Sequence, residues 1–198
     1  MSATGTRKER ERAERRARIV AAARELAETQ GWEAVTVRKL ADRIEYSQPV
    51  LYGHFAGKTA IVGAVAEEGF AELAEALRAA HAAADGPERA FALLARAYLD
   101  FAEANPALYD AMFSLATDLP FGPDAPPSLR AGWNEIERLF RPYVGEPDLG
   151  ARTEVAWGAL HGLVTLARSG RLMPELRERR LEILVAQWLA GVRTAPPA

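Results

Sequence analysis

The chain has 198 residues, room for one large or two small domains, and its 49% apolar and 26% charged residues are an ordinary globular composition that excludes whole-chain disorder. It has no cysteine, which removes a disulfide framework, a thiol nucleophile, a thiolate zinc site and a cysteine-held iron–sulfur cluster. The net charge of −2 is unevenly spread: residues 1–58 hold 12 Lys and Arg against eight acids, the remainder 13 against 19, so a basic head precedes an acidic body.

Forty alanines and the lack of any long apolar–polar alternation predict an all-α fold. The first helix carries Ile19, Ala23, Leu26 and Ala27 on one stripe and stops at Gly31, a residue suited to a left-handed helix end. Thr36 is an N-cap for a short helix to about Ile44, and Ser47 for another through about His54. A long helix from Gly57-Lys58 places Val62, Val65, Ala66, Phe70, Leu73 and Leu77 on one face and ends before Asp85-Gly86-Pro87. Pro87 opens a helix with Phe91, Leu94, Tyr98 and Phe101 at helical spacing, and Asn105-Pro106 breaks it and starts a shorter one through Phe113. The proline-rich stretch Asp118–Pro127 reads as a loop, followed by helices near 128–143, 148–169 and 175–192; the tail Ala195–Ala198 is expected to be disordered.

Two segments bear on location. Val155–Ala167 has no charged residue but is 13 long, short of the ~20 that a membrane helix needs. Near the N-terminus, Arg24 and Glu25 cut the apolar run Ile19–Ala23 too short for a signal peptide, so a cytoplasmic location is expected.

The most informative stretch is Thr36–Lys58, TVRKLADRIEYSQPVLYGHFAGK. Two capped short helices are joined by the corner Glu45-Tyr46-Ser47, with Ala41 facing inward where they cross and Leu40, Ile44, Leu51 and Phe55 on the apolar side. This is a helix-turn-helix pattern, whose second helix fits the major groove of DNA. The run Thr36-Val37-Arg38-Lys39-Leu40-Ala41, then Ser47, Leu51-Tyr52-Gly53-His54-Phe55 and Gly57-Lys58, resembles the N-terminal signature of the TetR family of transcriptional regulators, over about residues 12–70. Asn105-Pro106-x-Leu108-Tyr109-x-x-Met112-Phe113 with Trp157, His161 and Gly162 is similar to a ligand-domain subgroup named for its Trp, His and Gly.

Helix N-termini offer free N–H groups and partial positive charge, so Thr36 and Ser47 are suited to hold phosphates as well as to cap. Gln48, at the tip of the second helix, carries an amide able to pair with an adenine edge. Tyr52 and His54 match family positions that bond the DNA backbone, and Lys58 is placed to neutralise a phosphate. Arg38, Pro49 and Val50 complete the set expected to face DNA, and Arg7, Lys8, Arg10 and Arg12 suggest an arm over an adjacent groove. Two residues depart from the family pattern: Glu45 where glycine is usual at the corner, and Pro49 where a small residue is usual in the first turn.

The body supplies Tyr98, Phe101, Tyr109, Phe113, Trp133, Trp157 and His161 as candidate effector contacts, on the argument that helical bundles hold mostly apolar pockets with few polar groups. For each aromatic, ordinary core packing is the competing reading. Gly158 and Gly162, with the stripe Leu181, Leu184, Val185, Trp188, Leu189 and Val192, suggest a two-fold four-helix interface in the last two helices.

The expected organisation is therefore a three-helix DNA-binding domain over residues 1–57, with its arm, and a helical ligand-binding and dimerisation domain over 58–198. The expected function is that of a homodimeric regulator, a repressor released from a palindromic double-stranded operator by a small apolar or amphipathic effector. A tilt of the long helix after Lys58 would connect the two. No metal, no cofactor and no membrane partner is expected. Two alternatives stay open: a DNA-binding regulator without an effector, and an enzyme on a helical bundle, for which no phosphate loop, metal motif or Ser-His-Asp arrangement is visible.

Overall fold

A computed structural model describes residues 3–193; the expectation for Ala195–Ala198 lies outside the described residues. Among the described residues there are nine α-helices, three short 3-10 turns and no strand. In chain order they are α1 (Ala3–Gln30), a turn Trp32–Ala34, α2 (Val37–Arg43), α3 (Gln48–Tyr52), α4 (Lys58–Ala82), α5 (Pro87–Ala104) and α6 (Pro106–Phe113). A turn Gly122–Asp124, α7 (Pro127–Phe140), α8 (Glu146–Arg168), a turn Pro174–Leu176 and α9 (Arg177–Arg193) complete the chain. No helix among them is long and apolar enough to cross a membrane.

Two compact units form. The first takes residues up to Gly69 together with Asn105–Asp124; the second takes Phe70–Ala104 and the chain from Ala125 onward. The sequence reading divides the chain once, at 57/58, whereas α4 starts in the first unit and continues into the second, and the break at Asn105-Pro106 returns α6 to the first. That return depends on partners distant in sequence, which local patterning does not register.

In the first unit α1 buries Ile19, Ala23, Leu26 and Ala27, the stripe its periodicity predicts, together with Val20, and packs on α2 and on α6. Gly31 ends it at φ 81°, in a region that side chains avoid. Polar groups then hold the start of α6. The carboxylate of Glu28 accepts the N–H groups of Ala107 (3.1 Å) and Leu108 (3.0 Å), Arg24 donates to Asn105 Oδ1 (3.0 Å), and Trp32 Nε1 donates to the Ala107 carbonyl (2.7 Å). These N–H groups are helix-end donors with no partner inside α6, so an acidic side chain there satisfies hydrogen bonds and the helix dipole together. Further along, α4 and α6 approach closely at Gly69, where a Cβ would stand 2.7 Å from Met112 Sδ and 2.8 Å from Leu108 Cδ1.

In the second unit α5 packs on α7, α8 and α9. Phe91 meets Phe140 edge-on at 5.2 Å and Trp188 at 6.1 Å, forming the centre of its core. Arg96 and Arg177 both bind Glu178, and Arg177 also binds Asp100, tying the start of α9 to α5. These arginines, Arg96 foremost, hold the Glu178 carboxyl down to about 2. The α9 stripe corrects one expectation. Leu181, Leu184, Val185, Trp188 and Val192 are buried within the chain itself, with Leu189 half-buried, so this face fills the core and is not open to a partner. A single-chain pattern does not distinguish the two, because an amphipathic stripe looks alike whichever apolar surface it covers.

Candidate nucleic-acid interface

Helices α2 and α3 form the expected pair, and their termini follow from individual residues. The Thr36 side chain accepts the Lys39 N–H at 3.2 Å, so α2 is capped as its sequence predicts. At the other end Ile44 N–H bonds to the Leu40 carbonyl, and Tyr46 N–H reaches back to Ala41 at 3.0 Å across Glu45, whose φ is 57°. The corner therefore keeps the left-handed geometry that glycine ordinarily supplies, with a glutamate bearing a strain of about 1–2 kcal/mol. Ser47 stands at the N-cap of α3 but makes no side-chain cap bond. Pro49 removes one of the two N–H groups that a capping serine takes, and the other, Val50 N–H, bonds to the Ser47 carbonyl at 3.0 Å instead. The Ser47 hydroxyl is left at the exposed surface.

Leu40, Ala41, Leu51 and Phe55 are buried beneath the pair, so the opposite side carries the functional candidates. Thr36, Arg38, Ser47, Gln48, Pro49 and Val50 are all exposed. Tyr52 is 56% exposed and so is not part of the core. His54 is half-buried; burial first, and then the charges of Arg12, Arg15 and Arg16, hold its imidazole below the ordinary histidine range. Lys58, expected to neutralise a phosphate, also has a partner within the chain. Its Nζ donates to the Trp32 carbonyl at 2.5 Å, so it fastens the start of α4 to the turn after α1 while two of its N–H donors remain. Nothing in the local sequence signals that bond, since Trp32 lies 26 residues away.

The candidate effector residues fall in both units. Tyr109 and Phe113 belong to the first and pack on each other at 4.6 Å. In the second, Trp157 Nε1 donates to the hydroxyl of the buried Tyr98 at 3.2 Å, and the rings of Trp157 and His161 lie 6.0 Å apart. The structure thus joins Tyr98, Trp157 and His161 in one line. Thr165 donates to the His161 carbonyl at 2.9 Å, and burial lowers the His161 pKa. Phe101 is buried, and Trp133 donates to Glu137 one turn along its own helix at 3.2 Å. Both of the last two helices keep some open apolar surface: on α8, Val155 at 71% and Leu166 at 41% exposure flank Gly158 and Gly162, neither of which has a neighbour where a Cβ would stand, and on α9 Ile183 is 44% exposed.

An exposed short helix presented by a capped partner across a tight corner, with its polar tip outward, defines a helix-turn-helix head. Residues 19–65 match the bacterial regulatory proteins of the tetR family, and residues 91–188 match the tetracyclin repressor-like C-terminal domain. The chain belongs to the TetR family, a family of DNA-binding transcription regulators and not of enzymes. It is 34% identical over 93 residues to the uncharacterized HTH-type transcriptional regulator YobS of Bacillus subtilis (strain 168), covering 47% of this chain and 48% of that one. It is 43% identical over 54 residues to the tetracycline repressor protein class A from transposon 1721 of Escherichia coli, 27% of this chain and 25% of that one. The alignments thus span about half the length of the first curated relative and about a quarter of the second. A solved structure of a protein with unknown function from Rhodococcus sp. RHA1 is 26% identical, with a TM-score of 0.66 over 89% of this chain and 92% of that one.

Proposed function

We propose that this protein is a cytoplasmic, homodimeric transcriptional repressor whose α3 enters the major groove of a palindromic operator, and whose C-terminal helices bind a small apolar or amphipathic effector that releases it. In this reading residues 1–57 are the DNA-binding module and residues 58–198 the effector-binding and dimerisation module. The observation that carries it is the outward tip of α3: Gln48, Val50 and Tyr52 stand in solvent on a helix whose other side is sealed by Leu51. Gln48 reads bases; Thr36, Ser47, Tyr52, His54 and Lys58 hold phosphates; Arg38 and Pro49 border the same surface.

Support for an effector is the line Tyr98–Trp157–His161, an apolar wall with a few polar groups of the kind that orients a small ligand. Phe101 and Trp133 supply further aromatic surface in the same unit. Support for a dimer is the open small-residue face of α8, where Val155, Gly158, Gly162 and Leu166 recur at helical spacing and permit close helix approach. Because α4 runs from the first unit into the second, a ligand that tilts it changes the separation of two paired heads, and a coupling of about 1–3 kcal/mol suffices for a 5–150-fold change in affinity.

The test is a binding titration on genomic fragments retained by the wild-type protein. Gln48→Ala is expected to relax sequence preference, costing about 1–3 kcal/mol of discrimination. Tyr52→Phe is expected to weaken binding to all duplexes alike. If neither variant changes either property, α3 is not the reading helix.

A further inference from the structure

The inference concerns the part of α1 that no core accounts for, and it rests on the DNA-binding reading above. Helix α1 is 28 residues long, yet among its described side chains the first buried one is Ile19; from Arg7 to Arg18 every position is exposed except the half-buried Glu11. More than three turns of helix therefore project beyond the packed head. Seven of those twelve residues are basic (Arg7, Lys8, Arg10, Arg12, Arg15, Arg16, Arg18) and three are acidic.

Three of the seven cations line up on one face, while the other four are spread around the helix. By the 3.6-residue repeat, Lys8, Arg12 and Arg15 fall on the same face as Ile19, Ala23 and Leu26. That face is apolar where it covers the head and becomes basic where it runs past it. Two contacts tie the projecting part to the reading elements. The Arg16 guanidinium lies over the Phe55 ring, 4.8 Å from its centroid, just after α3; Arg18 donates to the Tyr46 hydroxyl at 3.2 Å, on the corner between α2 and α3. The charges of Arg12, Arg15 and Arg16 also reach His54, which follows α3. Glu11 pairs with Arg7 at 2.9 Å and approaches Arg15 at 4.0 Å, compensating one end of the stripe in part.

We propose that the basic face of α1 ahead of Ile19, centred on Arg12 and Arg15, is a second contact to the phosphate backbone of duplex DNA, extending the footprint past the groove entered by α3. Cations gathered on one exposed helix face repel one another in the free protein, and a line of phosphates relieves that repulsion. This is charge complementarity of the kind that adds affinity without sequence information. Arg16, engaged with Phe55, holds the projection against the head.

The experiment uses the full chain, a duplex selected by the wild-type protein from genomic fragments, and a random duplex of equal length, in anisotropy titrations from about 50 to 200 mM salt. The double variant Arg12→Ala/Arg15→Ala is expected to weaken binding to both duplexes by the same factor. It should lower the slope of log K against log salt by about 3.6, since each phosphate contact contributes roughly 0.9 and the dimer loses two contacts per protomer. Hydroxyl-radical protection of the flanking backbone should disappear while the central protection stays. Arg12→Lys/Arg15→Lys should retain the slope, and both variants should keep the wild-type circular dichroism because both positions are solvent-exposed. A wild-type slope and footprint in the alanine variant overturn this proposal and leave the α3 reading standing. Wild-type protein that binds neither duplex overturns both.

Discussion

Glu28, near the end of α1, accepts the backbone N–H of Leu108 at 3.0 Å from a position 80 residues earlier in the chain. With its other oxygen on Ala107, this one carboxylate serves two helix-end donors of α6 and fixes where that helix begins on the first unit. Glu28→Ala strips both acceptors, and water replaces them only in part. A stability loss of about 1 kcal/mol is expected, below the roughly 1.5–3 kcal/mol of a charged hydrogen bond because the side chain stays open to solvent. Glu28→Gln should recover part of it. Urea unfolding checks this, and an unchanged midpoint in the alanine variant would show that the clamp contributes nothing.

Gly69 gives the opposite kind of test. Alanine is a better helix former than glycine by about 1 kcal/mol, so a free position would gain from the change. Here the new Cβ meets Leu108 and Met112, both buried, at distances that require them to move. Overpacking of about 1–3 kcal/mol should outweigh the propensity gain, and Gly69→Ala should lower the melting temperature. A higher melting temperature would mean that α4 and α6 part at no cost.

At the corner, Glu45 holds φ 57° without the freedom of glycine. Glu45→Gly should relieve about 1–2 kcal/mol of strain, less the extra entropy glycine has in the unfolded chain, leaving a net gain of under about 1 kcal/mol. The check is a rise in the urea midpoint. A fall would show that the glutamate side chain makes a contribution larger than the strain.

Acid sensitivity follows from the three histidines. Burial is the leading cause that lowers the pKa of His54, His81 and His161; arginine charges add to it at the first two, and Glu135 acts in the opposite direction at His81. Groups held below their unfolded value, about 6.5, bind protons more weakly in the folded state. Their contribution is complete above that pH and is lost as pH falls through the folded values. The urea midpoint should drop between about pH 7 and pH 5, and each imidazole should titrate below about 6.5 by NMR. A midpoint that rises on acidification contradicts this assignment.

The helices and the head were legible because their signals are local. Thr36, Gly31, Pro87 and Asn105-Pro106 punctuate the chain, and the boundaries they imply lie within a few residues of those observed. The exposure of Gln48 and Tyr52 follows from the period of Leu51 and Phe55 beneath them. What escaped is long-range. The bond from Lys58 to Trp32, the grip of Glu28 on α6 and the burial of the α9 stripe all depend on which surfaces meet, and no spacing within one helix encodes that. The silent hydroxyl of Ser47 escaped for a different reason: the effect of Pro49 on its neighbour's cap becomes visible only once the helix start is fixed.

In the proposed complex two copies of this chain read one duplex through α3. Footprinting of a selected genomic duplex, with the protein-to-DNA ratio measured by sedimentation on the same sample, tests it directly. Two protomers are expected on two inverted half-sites about one helical turn, roughly 34–36 Å, or a multiple of it apart. A single protomer per duplex, or uniform protection with no symmetric pair of half-sites, would contradict it.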